Sequence, residues 1–408
     1  MDASGTPGKS PRYTLPVRII CAPDSFKGSM TATTAAEAML AGIRRAVPDT
    51  IVDCCPIADG GEGTLTALNT ALPGDLRRVT VSGPLGDPVE ADFATFPEGQ
   101  FAVVESAAAA GLQLVPKPLC DPTKTSSYGV GELIAAACAA APRKIIVALG
   151  GSATNDGGCG MAQALGVRFF DRNGDEIRKP ICGDMLNKLA RIDASERLPA
   201  LSNMELIVAS DVQNPLTGPQ GAARIYGPQK GATAEQVARL DAGLVHLAAL
   251  LRRDFNIDIE ELPGSGAAGG LGGGLVAFTG ATISSGIDTV LDAVEFARRV
   301  KSCDLCLTGE GRIDAQSASG KACMCVAQVA GKHGVPTIAL VGQVGSGAEQ
   351  CLAAGLRDYV VIGDGLSAEQ SMRRAEELIA DAAGRVAREY LASMGSIMGS
   401  DPMDVIPG

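Results

Sequence analysis

Short apolar runs rich in Val and Ile recur along the chain, each followed by a turn of small and acidic residues. Lys144 to Leu149 (K-I-I-V-A-L) opens the longest such passage; Ile145 to Leu149 predicts a buried strand, and Gly150-Gly151-Ser152-Ala153-Thr154-Asn155-Asp156-Gly157-Gly158 its loop, before a helical pattern over 161–165. The same grammar predicts strands over 17–22, 51–57, 206–209 and 305–307. Their loops are P-D-S-F-K-G-S (23–29), A-D-G-G-E-G-T (58–64), S-D-V-Q-N-P (210–215) and T-G-E-G-R-I-D (308–314). Glycines admit positive φ and close ligand approach, and a helix start adds free N–H donors that suit an anion. One loop alone reads as a turn with an acidic helix cap. Five that all carry acids, each at the carboxyl end of a predicted strand, point to a binding edge of an open α/β sheet.

Between these strands the pattern changes twice. Apolar positions Ala35, Met39, Ile43 and Ala46 fall at helical spacing over 31–46, and a second helix starts at Thr64. From Arg77 the texture turns to alternating runs over 79–82, 89–96 and 101–104, separated by Gly/Pro turns, which is hairpin grammar. Helices are predicted over 105–111 and 130–141, a hairpin from 167, and an amphipathic helix over 234–255 with His246 facing inward. The stretch 263–287 has no charged residue and nine glycines among its first 24 positions up to Gly286, too poor in helix formers for a membrane span, and is expected to be a buried, Gly-rich loop and strand region. Helices over 287–300, 321–333, 348–354 and 369–394 then alternate with strands over 304–307, 337–341 and 359–362. The expected organisation is a discontinuous parallel-sheet domain over 17–84 and 286–394, a mixed α/β domain inserted at 85–285, and tails at 1–16 and 395–408. Clefts between such domains are favoured sites.

Composition narrows the chemistry. The 408 residues carry a net charge of −11 and no clustered Lys/Arg, which argues against nucleic acid. Aromatics are 3% and Trp is absent, so the core is built from small aliphatic side chains. Cys303 and Cys306 stand at C-x-x-C spacing, which alone could ligate zinc or form a redox dithiol. No second pair accompanies them, and the twelve cysteines read as buried thiols in a reducing, cytoplasmic setting. With two histidines, His246 and His333, a His-based triad or metal cluster is disfavoured, and neither a G-x-S-x-G elbow nor a Walker A motif is present. G-S-G-A-A-G (264–269) matches a dinucleotide fingerprint but follows no apolar strand. What remains is acids, hydroxyls, backbone amides and the lysines Lys27 and Lys321, an inventory for phosphoryl transfer. Asp59, Asp211 or Glu310 could hold Mg²⁺, one Asp could accept a hydroxyl proton, and the lysines could meet phosphate or carboxylate.

The motifs A-P-D-S-F-K-G-S (22–29), P-I-A-D-G-G-E-G-T (56–64), V-V-E-S-A-A-A-A-G-L (103–112), T-S-S-Y-G-V-G-E-L-I (125–134), A-L-G-G-S-A-T-N-D-G-G-C-G (148–160), A-S-D-V-Q-N-P-L (209–216) and T-G-E-G-R-I-D-A-Q-S-A-S-G-K (308–321) together resemble the bacterial-type glycerate kinases, the family that includes glycerate 2-kinase. The resemblance implies a Rossmann- or flavodoxin-like domain with an inserted α/β domain. It implies ATP- and Mg²⁺-dependent phosphorylation of D-glycerate at the 2-hydroxyl, with the 3-hydroxyl as the alternative. Ser317-Ala318-Ser319 departs from the Thr-Leu usual there. Under this resemblance Lys27, Ser25 and Ser29 bind phosphate or the glycerate carboxylate. Asp59, Asp211 and Asp314 with Lys27 form the catalytic set, while Glu62 and Glu310 are metal candidates. Gly150, Gly151, Ser152, Thr154, Asn155, Asp156, Gly309, Gly311 and Lys321 cradle phosphate or substrate. No membrane partner is expected, and self-association as a homodimer is left open. The competing classes are an NAD(P)-dependent oxidoreductase of a small hydroxy acid and a non-catalytic sugar-acid-binding protein.

Overall fold

The computed structural model describes residues 16–97 and 100–398. The expected tails over 1–15 and 399–408, and the turn residues Glu98 and Gly99, lie outside the described residues. Among the described residues thirteen strands run in chain order: β1 (Arg18–Pro23), β2 (Ile51–Cys54), β3 (Asp75–Ser82), β4 (Pro88–Thr95), β5 (Phe101–Glu105), β6 (Lys144–Ala148), β7 (Arg168–Asp171), β8 (Leu189–Asp193), β9 (Glu205–Ala209), β10 (Thr282–Ser284), β11 (Leu305–Ile313), β12 (Thr337–Val344) and β13 (Asp358–Val361).

Five of them form a wholly parallel sheet in the order β2-β1-β11-β12-β13. Counted along this sheet alone, that is 2-1-3-4-5, the flavodoxin-like doubly wound order, whose switch point lies between its first and third strands. Here those are β1 and β11, held in register from Ile19 opposite Leu305 to Pro23 opposite Gly309. A six-stranded mixed sheet follows the order β10-β9-β6-β5-β4-β3, parallel from β10 to β5 and antiparallel through β4 and β3. A small antiparallel pair, β7 and β8, completes the chain. The architecture is therefore α/β, with a flavodoxin-like parallel sheet and a second, mixed sheet. The hairpin β3–β4 belongs entirely to the second sheet, so the expected break at 84/85 falls in its turn.

Helix Thr64–Ala71 and helix Gly286–Ala293 fill the space between the sheets. Their buried Leu65, Leu68, Ile287 and Val290 share one core with Ile20 and Cys306 of the first sheet and with Val103, Ile146 and Ala209 of the second. The outer face of the first sheet is covered by helices Ala32–Ala46 and Ala375–Met398, which meet over Ile43, Ile379 and Ala383.

Four local expectations change. The stretch 263–287 holds a strand, β10, but much of the rest is helix rather than loop: Ala267–Thr279 is helical apart from a kink at Ala268 to Gly270, whose φ values are positive. Its glycines are spaces for backbone, since a Cβ at Gly269 would lie 2.0 Å from the Thr154 carbonyl and one at Gly274 2.4 Å from that of Gly157. β11 runs on through Ile313 because parallel pairing with β12 continues to Val344, so T-G-E-G-R-I is strand and the turn begins at Asp314. The helix expected over 287–300 breaks at Glu295, whose φ is 51°. The terminal helix begins at Ala375, after a separate one at Ala368–Arg373, and reaches Met398, four residues into the expected tail.

Candidate active site

β1 ends at Pro23, and the next residue carries the first acid of the site. The amide of Asp24 donates to the Gly309 carbonyl of β11 at 2.9 Å, which fixes it at the switch point. Its Oδ1 accepts from the Ser25 amide at 2.6 Å. Burial pushes the Asp24 carboxyl up to about 7; the Ser25 amide and Lys27 oppose this, and the charges of Asp59 and Glu310 add to it. Asp24 therefore stands where a carboxyl titrates near neutrality.

Further acids approach from three other strand ends. Asp59, after β2, accepts from the Gly61 amide at 3.0 Å and lies 3.9 Å from Lys27 Nζ. Asp211, after β9, accepts from the Gly286 amide at 2.8 Å; burial raises its carboxyl, against the Gly286 and Ser285 hydrogen bonds and with help from Asp59 and Asp288. Glu310 lies inside β11, buried, with Oε1 lacking any partner among the described residues and Oε2 4.0 Å from Lys321 Nζ. Burial raises its carboxyl as well, with Lys321 opposing. Lys321 caps the helix Ala322–Lys332 and also lies 3.7 Å from Asp314. Burial opposes ionisation of Asp314, but Lys321, the amides of Ser317 and Gln316, and Arg312 outweigh it and hold its carboxyl low.

These groups line a cleft of about 760 Å³, which continues toward the second sheet as a space of about 920 Å³. Asp24, Ser25, Lys27, Ser29, Asp59 and Asp211 border both parts. Glu310, Gly311 and Lys321 border the first, together with an apolar wall of Phe26, Ile362, Met372 and Ala375. Glu62, Gly150 and Gly151 border the second. The Ser29 hydroxyl donates to the Met372 carbonyl at 3.2 Å, joining the loop after β1 to helix Ala368–Arg373.

The remaining residues singled out from the sequence lie elsewhere. Gly309 is enclosed in β11, where a Cβ would meet the Leu340 carbonyl at 2.5 Å. Asp314 stands behind Lys321 rather than on the cleft wall. Ser152, Thr154 and Asp156 turn inward into a buried polar knot, and Asn155 is buried beside them with neither polar atom of its side chain partnered among the described residues. Asp156 accepts from the amide and hydroxyl of Ser127, both at 2.8 Å, and from the amides of Gly158 and Gly160, while Lys230 Nζ donates to the Thr154 carbonyl at 2.6 Å. Burial raises the Asp156 carboxyl and lowers the Lys230 ammonium to about 8. Small polar residues beside glycine serve a cradle or a buried turn equally well in sequence, and here the later half of the loop is the turn. Asp24 is the acid that sequence reading passed over in favour of Lys27; its signal was present, since it directly follows a strand as Asp59 and Asp211 nearly do.

Among the described residues no group of three or more His, Cys, Asp or Glu side chains forms a metal cage, and no helix is long and apolar enough to cross a membrane. Carboxylates, amides and two lysines at the carboxyl edge of a doubly wound sheet define an α/β kinase. The glycerate kinase family model matches residues 19–391. The chain is 45% identical over 370 residues to the glycerate kinase of Halalkalibacterium halodurans, covering 90% of this chain and 97% of that one. It is 45% identical over 328 residues to glycerate 2-kinase of Escherichia coli, covering 80% and 86%. A crystal structure from Salmonella typhimurium LT2, provisionally assigned as glycerate kinase 2, superposes with a TM-score of 0.83 at 41% identity, covering 93% of this chain and all of that one. The chain belongs to the glycerate kinase family.

Proposed function

We propose that the cleft transfers the γ-phosphoryl group of ATP to the 2-hydroxyl of D-glycerate, giving 2-phosphoglycerate and ADP. The observation that carries this reading is geometric: Asp24, its amide pinned to the Gly309 carbonyl at the switch point, shares one cleft with Lys27, Asp59 and Glu310, and burial raises its carboxyl to about 7. A general base works best when its pKa is near the operating pH. Asp24 accepts the hydroxyl proton as the glycerate oxygen bonds to the γ-phosphorus and the bond to the β-phosphate oxygen breaks. Lys27 and Lys321 supply charge to the phosphates or the glycerate carboxylate, and Asp59 and Asp211 fix the facing loops. Phe26, Ile362, Met372 and Ala375 offer apolar surface for the adenine. The name of the Escherichia coli relative favours the 2-hydroxyl over the 3-hydroxyl.

Mg²⁺ fits this site. The Oε1 of Glu310 is a buried oxygen with no hydrogen-bond partner among the described residues, and burial raises its carboxyl despite Lys321, which a cation would relieve. Mg²⁺ is commonly held by one or two carboxylates plus substrate phosphates, so no all-protein cage is required. Glu310 would hold the ion, which would neutralise phosphate charge, and Asp24 stays free to take the hydroxyl proton. The two sheets support division into a unit of 17–72 with 286–394 and a unit of 75–284. Twelve free cysteines fit a reducing, cytoplasmic setting.

The test is to incubate purified protein with ATP, Mg²⁺ and D-glycerate and to identify the phosphorylated product by ³¹P NMR. ADP formation with 2-phosphoglycerate supports the reading; 3-phosphoglycerate overturns the regiochemistry, and unreacted ATP overturns the whole.

A further inference from the structure

On the far side of the first sheet, helices Ala32–Ala46 and Ala375–Met398 enclose a groove of about 570 Å³. Asp381, Arg385 and Arg388 stand at i, i+4 and i+7 on the second helix and so share one stripe. The carboxylate that lines the groove, Asp381, is taken from across it: Arg45 of the first helix holds it at 2.5 Å. Arg385 and Arg388 are exposed, line the same groove, and have no hydrogen bond or ion pair among the described residues. Neither guanidinium pairs with the neighbouring Asp381 or Glu389, so the two stand as positive charge without a close counter-ion among the described residues, in a chain whose net charge is −11. Concave space of this size is within the range of small-molecule sites. Guanidinium groups bind phosphate oxygens bidentately.

We propose that this groove is an anion site for a small phosphate-bearing molecule, separate from the cleft. Arg385 and Arg388 clamp the phosphate, Arg45 keeps Asp381 neutralised from the facing helix, and Leu378 with Ile362 packs against the carbon skeleton of the ligand. Ile362 borders the cleft on its other side, so it is the one residue common to both walls.

The experiment uses the full chain with its cleft saturated by a non-hydrolysable ATP analogue and D-glycerate, so that phosphate cannot be scored for binding there. Inorganic phosphate and glycerol 3-phosphate are titrated separately by calorimetry, with KCl at matched ionic strength as the control for screening. Saturable binding near millimolar concentration is expected, weakened by about tenfold or more in Arg385→Ala/Arg388→Ala. Stronger binding of glycerol 3-phosphate assigns the ligand as a phosphomonoester with an organic body; equal binding assigns free phosphate. Both substituted residues are exposed and Ala favours helix, so the variant keeps its fold, checked by an unchanged Tm without anion. Equal binding by the variant, binding reproduced by KCl, or no saturable binding by the wild type overturns the proposal. None of these outcomes depends on which substrate the cleft phosphorylates.

Discussion

The amide of Gly286 donates to Oδ1 of Asp211 at 2.8 Å, joining the start of a helix that packs between the two sheets to the acid at the end of β9. Gly286 also lies against the Asp59 loop, where a Cβ would stand 1.9 Å from the Asp59 carbonyl. One glycine therefore sets the spacing of two acids that come from different sheets. Gly286→Ala is expected to destabilise the protein by about 1–3 kcal/mol through overpacking. It is also expected to lower kcat/KM by about 100-fold through misplacement of Asp59 and Asp211. Chemical denaturation and steady-state assays of the same preparation check both.

Asp24 carries a pH signature. Its folded value of about 7 exceeds the model-compound value of 3.8. The stability linked to its neutral form is present in full below 3.8 and is lost as pH rises through about 7. Asp24→Asn keeps an oxygen for the Ser25 amide and does not titrate. In ligand-free protein its Tm is expected to gain on the wild type across that window and to hold the advantage above it. Its kcat is expected to fall by about 10²–10⁴, the usual contribution of a general base. Thermal melts across pH and a turnover assay test the pair of effects; a constant Tm difference would remove the titration argument.

Lys321 faces Glu310 and Asp314 together. It opposes the rise of the Glu310 carboxyl and helps hold that of Asp314 low. Lys321→Ala is expected to raise KM for ATP and to shift the acidic limb of the kcat/KM profile to higher pH, because both carboxylates become harder to ionise. A profile displaced downward, or an unchanged KM, contradicts this role.

The buried knot behind Gly150 and Gly151 makes a stability prediction. Lys230 is 3% exposed, donates to the Thr154 carbonyl, and supplies positive charge near Asp156. Lys230→Met removes both, and a loss of about 3 kcal/mol is expected in urea denaturation.

Much of the first sheet was legible because its strands are short aliphatic runs ending in acid-bearing turns. Asp59, Asp211, Lys27, Glu310 and Lys321 could be collected from those turns alone, and the cleft gathers all five. Orientation was not legible. Ser152 to Asp156 read as a cradle because glycine and hydroxyl residues are compatible with a ligand or with other backbone, and only the three-dimensional fold brings Ser127 and Lys230 to them. The helix Ala267–Thr279 was hidden for the same reason: its glycines leave room for the backbone of 154–158, which is more than 100 residues earlier in the chain. Asp24 could be read as the residue after a strand, but its burial at the switch point needed the pairing of β1 with β11, a partnership between segments separated by the whole second sheet.

The shared apolar core between the sheets bears on how substrates enter. Parting the two halves would expose Leu65, Leu68, Ile287 and Val290 to water at about 1.5–3 kcal/mol for each large side chain. That makes a bivalve opening along this plane expensive. Admission and release are instead expected at the outer rim, where one Ser29–Met372 hydrogen bond fastens the short helix Ala368–Arg373, none of whose residues is buried.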